Sequence, residues 1–169
     1  AAPAAQVDAI APLMLDLLGG DRHFLSEANR KPNPDHYARN PIYFADRGVM
    51  SLFALVWLPG QWTPVHDHGT WGVVGIVEGV LEERSFMTQG HEIISDSGIE
   101  LHRGGVVLLT DGAVTSFVPN PDHIHETGVP AKRKMAVSLH LYGRELNDYH
   151  AYDVERGTRK MINIPQYKS

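Results

Sequence analysis

The chain of 169 residues has no cysteine. That absence excludes disulfides, thiolate zinc sites, iron–sulfur clusters and a cysteine nucleophile. No apolar run approaches the roughly 18 residues that a membrane-spanning helix needs. Positive charge is not in excess either: 15 Lys and Arg stand against 20 Asp and Glu, a net charge of −5. Such a chain is poorly suited to grip a phosphate backbone, so neither nucleic acid nor a membrane is an expected partner. The opening Ala1-Ala2-Pro3-Ala4-Ala5 lacks the basic residues and apolar stretch of a signal peptide. The expectation is a soluble cytoplasmic protein, a monomer or weak homo-oligomer. What the chain does have is histidine, 10 residues of it. With thiolates absent, a metal site has to be built from imidazole or carboxylate.

Two textures divide the sequence. Near the start, Val7, Ile10, Leu13, Met14, Leu17 and Leu18 recur at helical spacing, and Gly19-Gly20 closes the run. Pro12 falls inside it, where its ring and missing N–H argue against an unbroken helix. A second short helix is predicted over about 22–28, and Lys31-Pro32-Asn33-Pro34-Asp35 reads as a connector. From about Ile42, short apolar or β-branched runs alternate with Gly, Pro, Asp and Asn, at 50–58, 72–77, 99–103, 106–110, 113–118 and 135–142. Many short strands without helical connectors predict an all-β sandwich or barrel rather than an α/β sheet. The whole chain, 1–169, is expected to form one domain, helical over 1–40 and a β-barrel over 41–169.

Three clusters carry chemistry. In Val65-His66-Asp67-His68 the histidines stand at i and i+2, so on a strand their imidazoles converge while Asp67 points away. The apolar approach to the pair directs it into a barrel; the alternative is two surface histidines in a loop. Asp122-His123-Ile124-His125-Glu126 repeats the spacing. One of His123 and His125 is expected to complete a metal site, the other to orient it or face solvent; a solvated turn after Pro119-Asn120-Pro121 is the plainer alternative. In Ser138-Leu139-His140-Leu141-Tyr142 a hydroxyl, an imidazole and a phenol line one face of a strand. A water-facing strand could look like this, but the apolar residues 135–137 beside it favour a buried hydrogen-bonded relay that ends at a site. No acid orients the imidazole, so it is not a nucleophile triad. Arg39, in Tyr37-Ala38-Arg39-Asn40, is by itself an ordinary surface charge.

Together these residues resemble the cysteine dioxygenase family of thiol dioxygenases, in the cupin superfamily, over roughly 37–153. Gly60, His66, His68 and Gly79 match the first cupin motif, Trp57 matches the strand before it, and Ser138, His140 and Tyr142 match the family's Ser-X-His-X-Tyr strand. The family's third ligand precedes the central histidine of that strand by fifteen residues; His125 to His140 is fifteen and His123 to His140 is seventeen. The resemblance therefore implies a non-haem Fe(II) held by His66, His68 and His125. It implies a cupin barrel (a double-stranded β-helix, or jelly roll) with short N-terminal helices. The implied reaction adds both atoms of O2 to the sulfur of a small carboxylated thiol, giving a sulfinate. Tyr37 and Arg39 match the order around the family's substrate-carboxylate arginine, and Tyr142 is implied as a catalytic phenol oriented by His140 and Ser138. L-cysteine is the first expectation. The alternatives are 3-mercaptopropionate, mercaptosuccinate or a bulkier thiol, a cupin using another metal for another reaction, and, in another class, a metal-bearing cupin that only binds a ligand as a sensor.

The departures from the family pattern are informative. Gly72 and Val73 stand where the general cupin motif has Glu, so three neutral imidazoles remain. Gly72 also aligns with the cysteine that crosslinks to the active-site Tyr in animal members; here Tyr142 cannot be crosslinked, as in bacterial members. Gly143-Arg144 replaces the Ser-Pro that follows the Tyr in animal members. Some bacterial relatives have Gln in place of Arg39 and prefer 3-mercaptopropionate, a change this chain does not share. Neutral ligands leave a divalent metal its full charge, which favours thiolate over thiol. The Arg39 fork suits a carboxylate because it can grip both oxygens; Arg144 and Arg159 are the fallback cations.

Overall fold

A computed structural model of the chain describes residues 2–89, 92–119 and 123–164. Helix α1 (Pro3–Gly19) is followed by strands β1 (Ala38–Phe44), β2 (Ser51–Trp57), β3 (Val65–His66), β4 (Gly72–Glu78), β5 (Val80–Met87), β6 (His102–Thr110), β7 (Val114–Phe117), β8 (Ile124–Gly128), β9 (Ala136–Tyr142), β10 (Asp148–Asp153) and β11 (Thr158–Asn163). They form a five-stranded sheet ordered β1-β2-β9-β4-β7 and a six-stranded sheet ordered β11-β10-β3-β8-β5-β6. Neighbouring strands run antiparallel throughout. The mostly-β architecture with one N-terminal helix matches the expected fold class. Among the described residues no helix is long and apolar enough to cross a membrane.

Two sequence expectations in the first forty residues fail. α1 runs unbroken through Pro12. Pro12 and Asp8 both lie on its exposed side, so the Asp8 carbonyl left without an N–H partner is hydrated rather than buried. The second predicted helix is instead two 3-10 turns, Arg22–Phe24 and Ala28–Arg30. Between them Ser26 N–H donates to Asn29 Oδ1 at 3.1 Å and Asn29 N–H to Ser26 Oγ at 3.3 Å; these local bonds compete with helical ones. Further on, the runs at 99–103 and 106–110 prove to be a loop and one strand, β6.

The five-stranded sheet is buried on both faces, and this decides where the Ser138–Tyr142 row points. On its outer face Ala54, Val56, Val73, Val137 and Leu139 cluster with Val7, Met14 and Leu18 of α1. On its inner face Phe53, Leu55, Trp57, Val74 and Ile76 cluster with Leu81 and Leu109 of the other sheet. The helix can lie close because β4 has a glycine beneath it: a Cβ on Gly75 would come within 2.8 Å of the Met14 side chain and 2.9 Å of Leu18. Leu139 therefore faces α1, and Ser138, His140 and Tyr142, one residue out of phase, project into the barrel.

Candidate metal centre

β3 holds only two residues, so just one histidine of the first pair lies on a strand. His66 ends it, directly opposite His125 on β8, and His68 follows in the loop. The same-face reading of 66 and 68 as strand neighbours thus gives way to a strand-plus-turn arrangement. The three imidazoles nonetheless meet, with ring centroids 4.7 Å apart for His66–His68, 4.7 Å for His66–His125 and 5.0 Å for His68–His125. One nitrogen from each lies within 4.8 Å of the others, and all three residues are buried.

The loop carrying His68 is fixed from three sides. Asp67, buried, turns away from the imidazoles: its Oδ1 accepts from His150 N–H at 3.0 Å, and its Oδ2 accepts from Tyr152 O–H at 2.7 Å and lies 3.1 Å from His150 Nδ1. Arg144 Nη2 donates to the His68 carbonyl at 3.0 Å and to Asp148 Oδ1 at 2.7 Å. Within the strand, His66 Nδ1 lies 3.0 Å from the Pro64 carbonyl. Nδ1 therefore carries the proton and Nε2 keeps a free lone pair.

These imidazoles suit a divalent metal. His68 Nδ1 and both nitrogens of His125 are buried without a hydrogen-bond partner, a costly state for a polar atom unless a ligand completes it. Burial holds His66 and His68 well below the ordinary histidine value and lowers His125 too. All three are thus neutral and present lone pairs. Three neutral imidazoles are a donor set used by iron, zinc and copper alike. His123 lies outside this triad; its ring stacks on Phe117 at 4.7 Å with an interplanar angle of 6°. The neighbouring Asp122 and the tail 165–169 lie outside the described residues.

Beside the triad runs the relay. Trp57 Nε1–H donates to Ser138 Oγ at 2.9 Å, Ser138 Oγ is 2.8 Å from His140 Nε2, and His140 Nδ1 is 3.2 Å from Tyr142 Oη. The indole can only donate, so Ser138 accepts from Trp57. The His140 tautomer sets the rest: with the proton on Nδ1, Ser138 donates to Nε2 and the Tyr142 proton is free to point onward; with the proton on Nε2, Ser138 accepts a second bond and Tyr142 donates to Nδ1. Burial first, then the neighbouring His125 imidazole and the charge of Arg39, pulls His140 down to about 3, so it stays neutral. Burial pushes the Tyr142 hydroxyl up to about 12, so it keeps its proton.

Triad and relay share a cavity of about 30 Å³ lined also by Tyr37, Arg39, Leu55, Val74, Phe117, Leu146 and Tyr149. Arg39 Nη2 donates to the Leu146 carbonyl at 2.9 Å, and its guanidinium sits 3.9 Å from the centre of the Phe53 ring. Tyr37 stacks on Trp57 at 4.7 Å. Among the described residues no Asp or Glu lines the cavity, and Arg39 is the one Lys or Arg that does. Gly72 keeps Phe117 in place, since a Cβ there would overlap its ring. A second hollow of about 310 Å³ lies between Thr88 and Glu100, and neither the triad nor the relay lines it.

Sequence reasoning missed four groups here. Arg144 and the Asp67–His150–Tyr152 set hold the loop; Tyr149 narrows the cavity from 5.4 Å beside His66; and Glu83 on β5 places its carboxylate 3.3 Å from His125 Nδ1 and 3.5 Å from His123 Nε2. Burial works to raise the Glu83 carboxyl, but the two imidazoles hold it well below the usual carboxylate range.

The depressed histidines make stability depend on pH. The unfolded chain binds more protons than the folded one at any pH below the ordinary value of 6.5 and above the folded value, which for His140 is about 3. Stability therefore falls as pH drops through that window, by up to about 1.4 kcal/mol per pH unit for each such histidine. The urea midpoint of the metal-free protein should drop markedly between pH 7.5 and 5.5. A midpoint that stays level over this range would mean that the imidazoles reach water.

With the site in place, comparison with known proteins is direct. A solved protein with a double-stranded β-helix domain, from Klebsiella pneumoniae subsp. pneumoniae MGH 78578, superposes with a TM-score of 0.53 at 12% identity, over 79% of this chain and 99% of that one. A cupin 2 domain-containing protein from Halorhodospira halophila gives 0.52 at 14% identity, over 80% and 82%. The fold is that of the cupins. The family model for cysteine dioxygenase type I matches residues 27–155, and the chain belongs to that family. Rattus norvegicus cysteine dioxygenase type 1 is 26% identical over 132 residues, which cover 76% of this chain and 61% of the rat protein. The Homo sapiens protein is 25% identical over the same span. The chain thus matches about three fifths of the length of these relatives.

Proposed function

We propose that the protein is a non-haem Fe(II) thiol dioxygenase that converts a small carboxylated thiol, L-cysteine first, to its sulfinate. The observation that carries this reading is the meeting of a buried, neutral three-histidine face with one lining guanidinium in a single small cavity. Family membership supports it. Iron, held by His66, His68 and His125, would supply the place where thiol sulfur and O2 come together. The reaction balances without a further reductant: sulfur gives four electrons, O2 accepts four, and both oxygen atoms end on sulfur.

The chain's own residues do the rest. Arg39 holds the carboxylate end and so fixes the distance from that end to the triad. Among the described residues the cavity has no acidic residue to repel an anion. Leu55, Val74, Phe117 and Leu146 keep bulk water out, which strengthens each polar contact inside. Tyr142, kept protonated and aimed by the Trp57–Ser138–His140 chain with His140 in its Nδ1–H form, donates a hydrogen bond into the cavity.

The test is oxygen uptake by the iron-loaded protein over a panel of L-cysteine, 3-mercaptopropionate, mercaptosuccinate, cysteamine and a bulkier thiol, with sulfinate measured in parallel. One sulfinate per O2 with at least one carboxylated thiol is the expected result; no uptake with any of them would leave a ligand-binding cupin. A variant refines it. Tyr142→Phe should keep its iron but turn over roughly 10²–10³-fold more slowly, or consume O2 in excess of sulfinate. An unchanged rate and ratio would remove the phenol from the mechanism.

A further inference from the structure

The triad of neutral imidazoles has a carboxylate behind it. β5 pairs with β8 so that Ser85 lies opposite His125 and Glu83 opposite Thr127. Glu83 and Ser85 therefore share the inward face of β5 with Leu81 of the core cluster, while Glu82 and Arg84 pair with each other on the outward face at 2.8 Å. An inward carboxylate in a barrel is expensive unless something answers its charge. At Glu83 two imidazoles do so, one on each oxygen: Oε2 lies 3.3 Å from His125 Nδ1 and Oε1 3.5 Å from His123 Nε2.

The three imidazoles are not equally supported. His66 Nδ1 faces a neutral carbonyl, that of Pro64. Neither His68 Nδ1 nor His125 Nδ1 makes a hydrogen bond. His125 Nδ1 alone among the three has a carboxylate at ion-pair distance among the described residues. Metal-ligating histidines commonly turn their second ring N–H to such an acceptor, which fixes the tautomer and makes the ligating nitrogen more basic.

The geometry points to Glu83 as the positioning residue for His125: its carboxylate holds the Nδ1–H form, turns Nε2 toward His66 and His68, and lends the centre anionic character through the ring. This rests on the reading of His66, His68 and His125 as the metal site. It revises the view of that site as three equivalent neutral ligands, because one of them carries a negative charge one residue removed. His123 becomes the second hand on Glu83, held in turn by its stack on Phe117. The other arrangement these atoms permit, a second ion between Glu83, His123 and His125, makes a different prediction of stoichiometry.

The experiment measures Fe(II) and Zn(II) binding by anaerobic chelator competition for the wild type, Glu83→Gln, Glu83→Ala and His66→Ala, together with the melting temperature of each metal-free protein. Glu83→Gln should weaken binding by roughly 10–100-fold and Glu83→Ala by at least as much, with the metal-free melting temperature of Glu83→Gln held or raised by removal of a buried charge. One equivalent of metal per wild-type chain is expected. A merely structural Glu83 would lower the metal-free melting temperature and leave affinity within twofold of wild type, and that result overturns the assignment. So does a wild-type stoichiometry of two that falls to one in Glu83→Gln. Full affinity in His66→Ala would instead sink the metal-site reading beneath it. If Glu83→Gln does not fold, Glu83→Asp tests the same point: it keeps the charge but shortens the reach, and its affinity should fall with its fold intact.

Discussion

Replacing any one of His66, His68 and His125 with alanine is expected to strip the protein of most of its iron and reduce sulfinate formation to background. The three rings converge with one nitrogen each inside a 4.8 Å set, and no carboxylate stands where the general cupin motif has one, since Gly72 and Val73 occupy those places. In the proposed three-histidine site, the loss of one ligand removes a third of the donor set. His123→Ala should keep iron largely in place, because its ring stacks on Phe117 and its Nε2 lies 3.5 Å from Glu83, outside the converging nitrogens of His66, His68 and His125. Iron per chain after anaerobic loading and desalting, with sulfinate assayed on the same samples, separates the four variants. If His123→Ala lost its iron while His125→Ala kept it, the third ligand would be His123.

How much of this could be read in the sequence depended on whether a residue's neighbours on its own strand revealed its direction. Ser138, His140 and Tyr142 alternate with leucines, and that parity is visible; what hides the leucines is α1, more than a hundred residues earlier, which the sequence presents only as a helix with apolar residues on several sides. His66 and His68 show a spacing that fits a strand, yet β3 stops at His66, and it is Arg144 and Asp67 that bring His68 round. Those contacts span 76 and 83 residues, so no local pattern announces them. Glu83 was illegible for a sharper reason. β5 buries residues on both faces: Leu81 joins the core cluster on one, and Phe86, five residues on and so on the opposite face, packs with Ile99, Ile124 and Tyr152. Parity counted from Phe86 puts Glu83 outside and parity counted from Leu81 puts it inside, and only the pairing with β8 decides. Arg144 and Arg159, fallback cations in the sequence, are engaged elsewhere: Arg144 by His68 and Asp148, Arg159 by Asp96 at 2.8 Å.

Removing the Arg39 guanidinium should cost activity selectively, and by a wide margin. Among the described residues Arg39 is the one Lys or Arg that lines the cavity, with no Asp or Glu there to compete for it. Its Nη2 is anchored on the Leu146 carbonyl and its face on Phe53, so the group is held in place before substrate arrives. A charge-assisted hydrogen bond to a carboxylate contributes roughly 1.5–3 kcal/mol, and each such bond lost from the transition state lowers kcat/KM about ten- to a hundredfold. Arg39→Leu should show that loss with L-cysteine and little of it with cysteamine, which has no carboxylate to hold. The comparison also controls for damage to the fold: leaving the Leu146 carbonyl without its donor costs about 1–3 kcal/mol of stability, but that penalty falls on both thiols alike. Arg39→Lys should recover only part of the loss, because a point charge cannot reproduce a two-pronged grip. Equal losses for L-cysteine and cysteamine would make Arg39 structural. With Arg144 and Arg159 already engaged, the described residues of the cavity would then offer a carboxylate no strong cation, and the substrate would have to be sought among thiols that carry none.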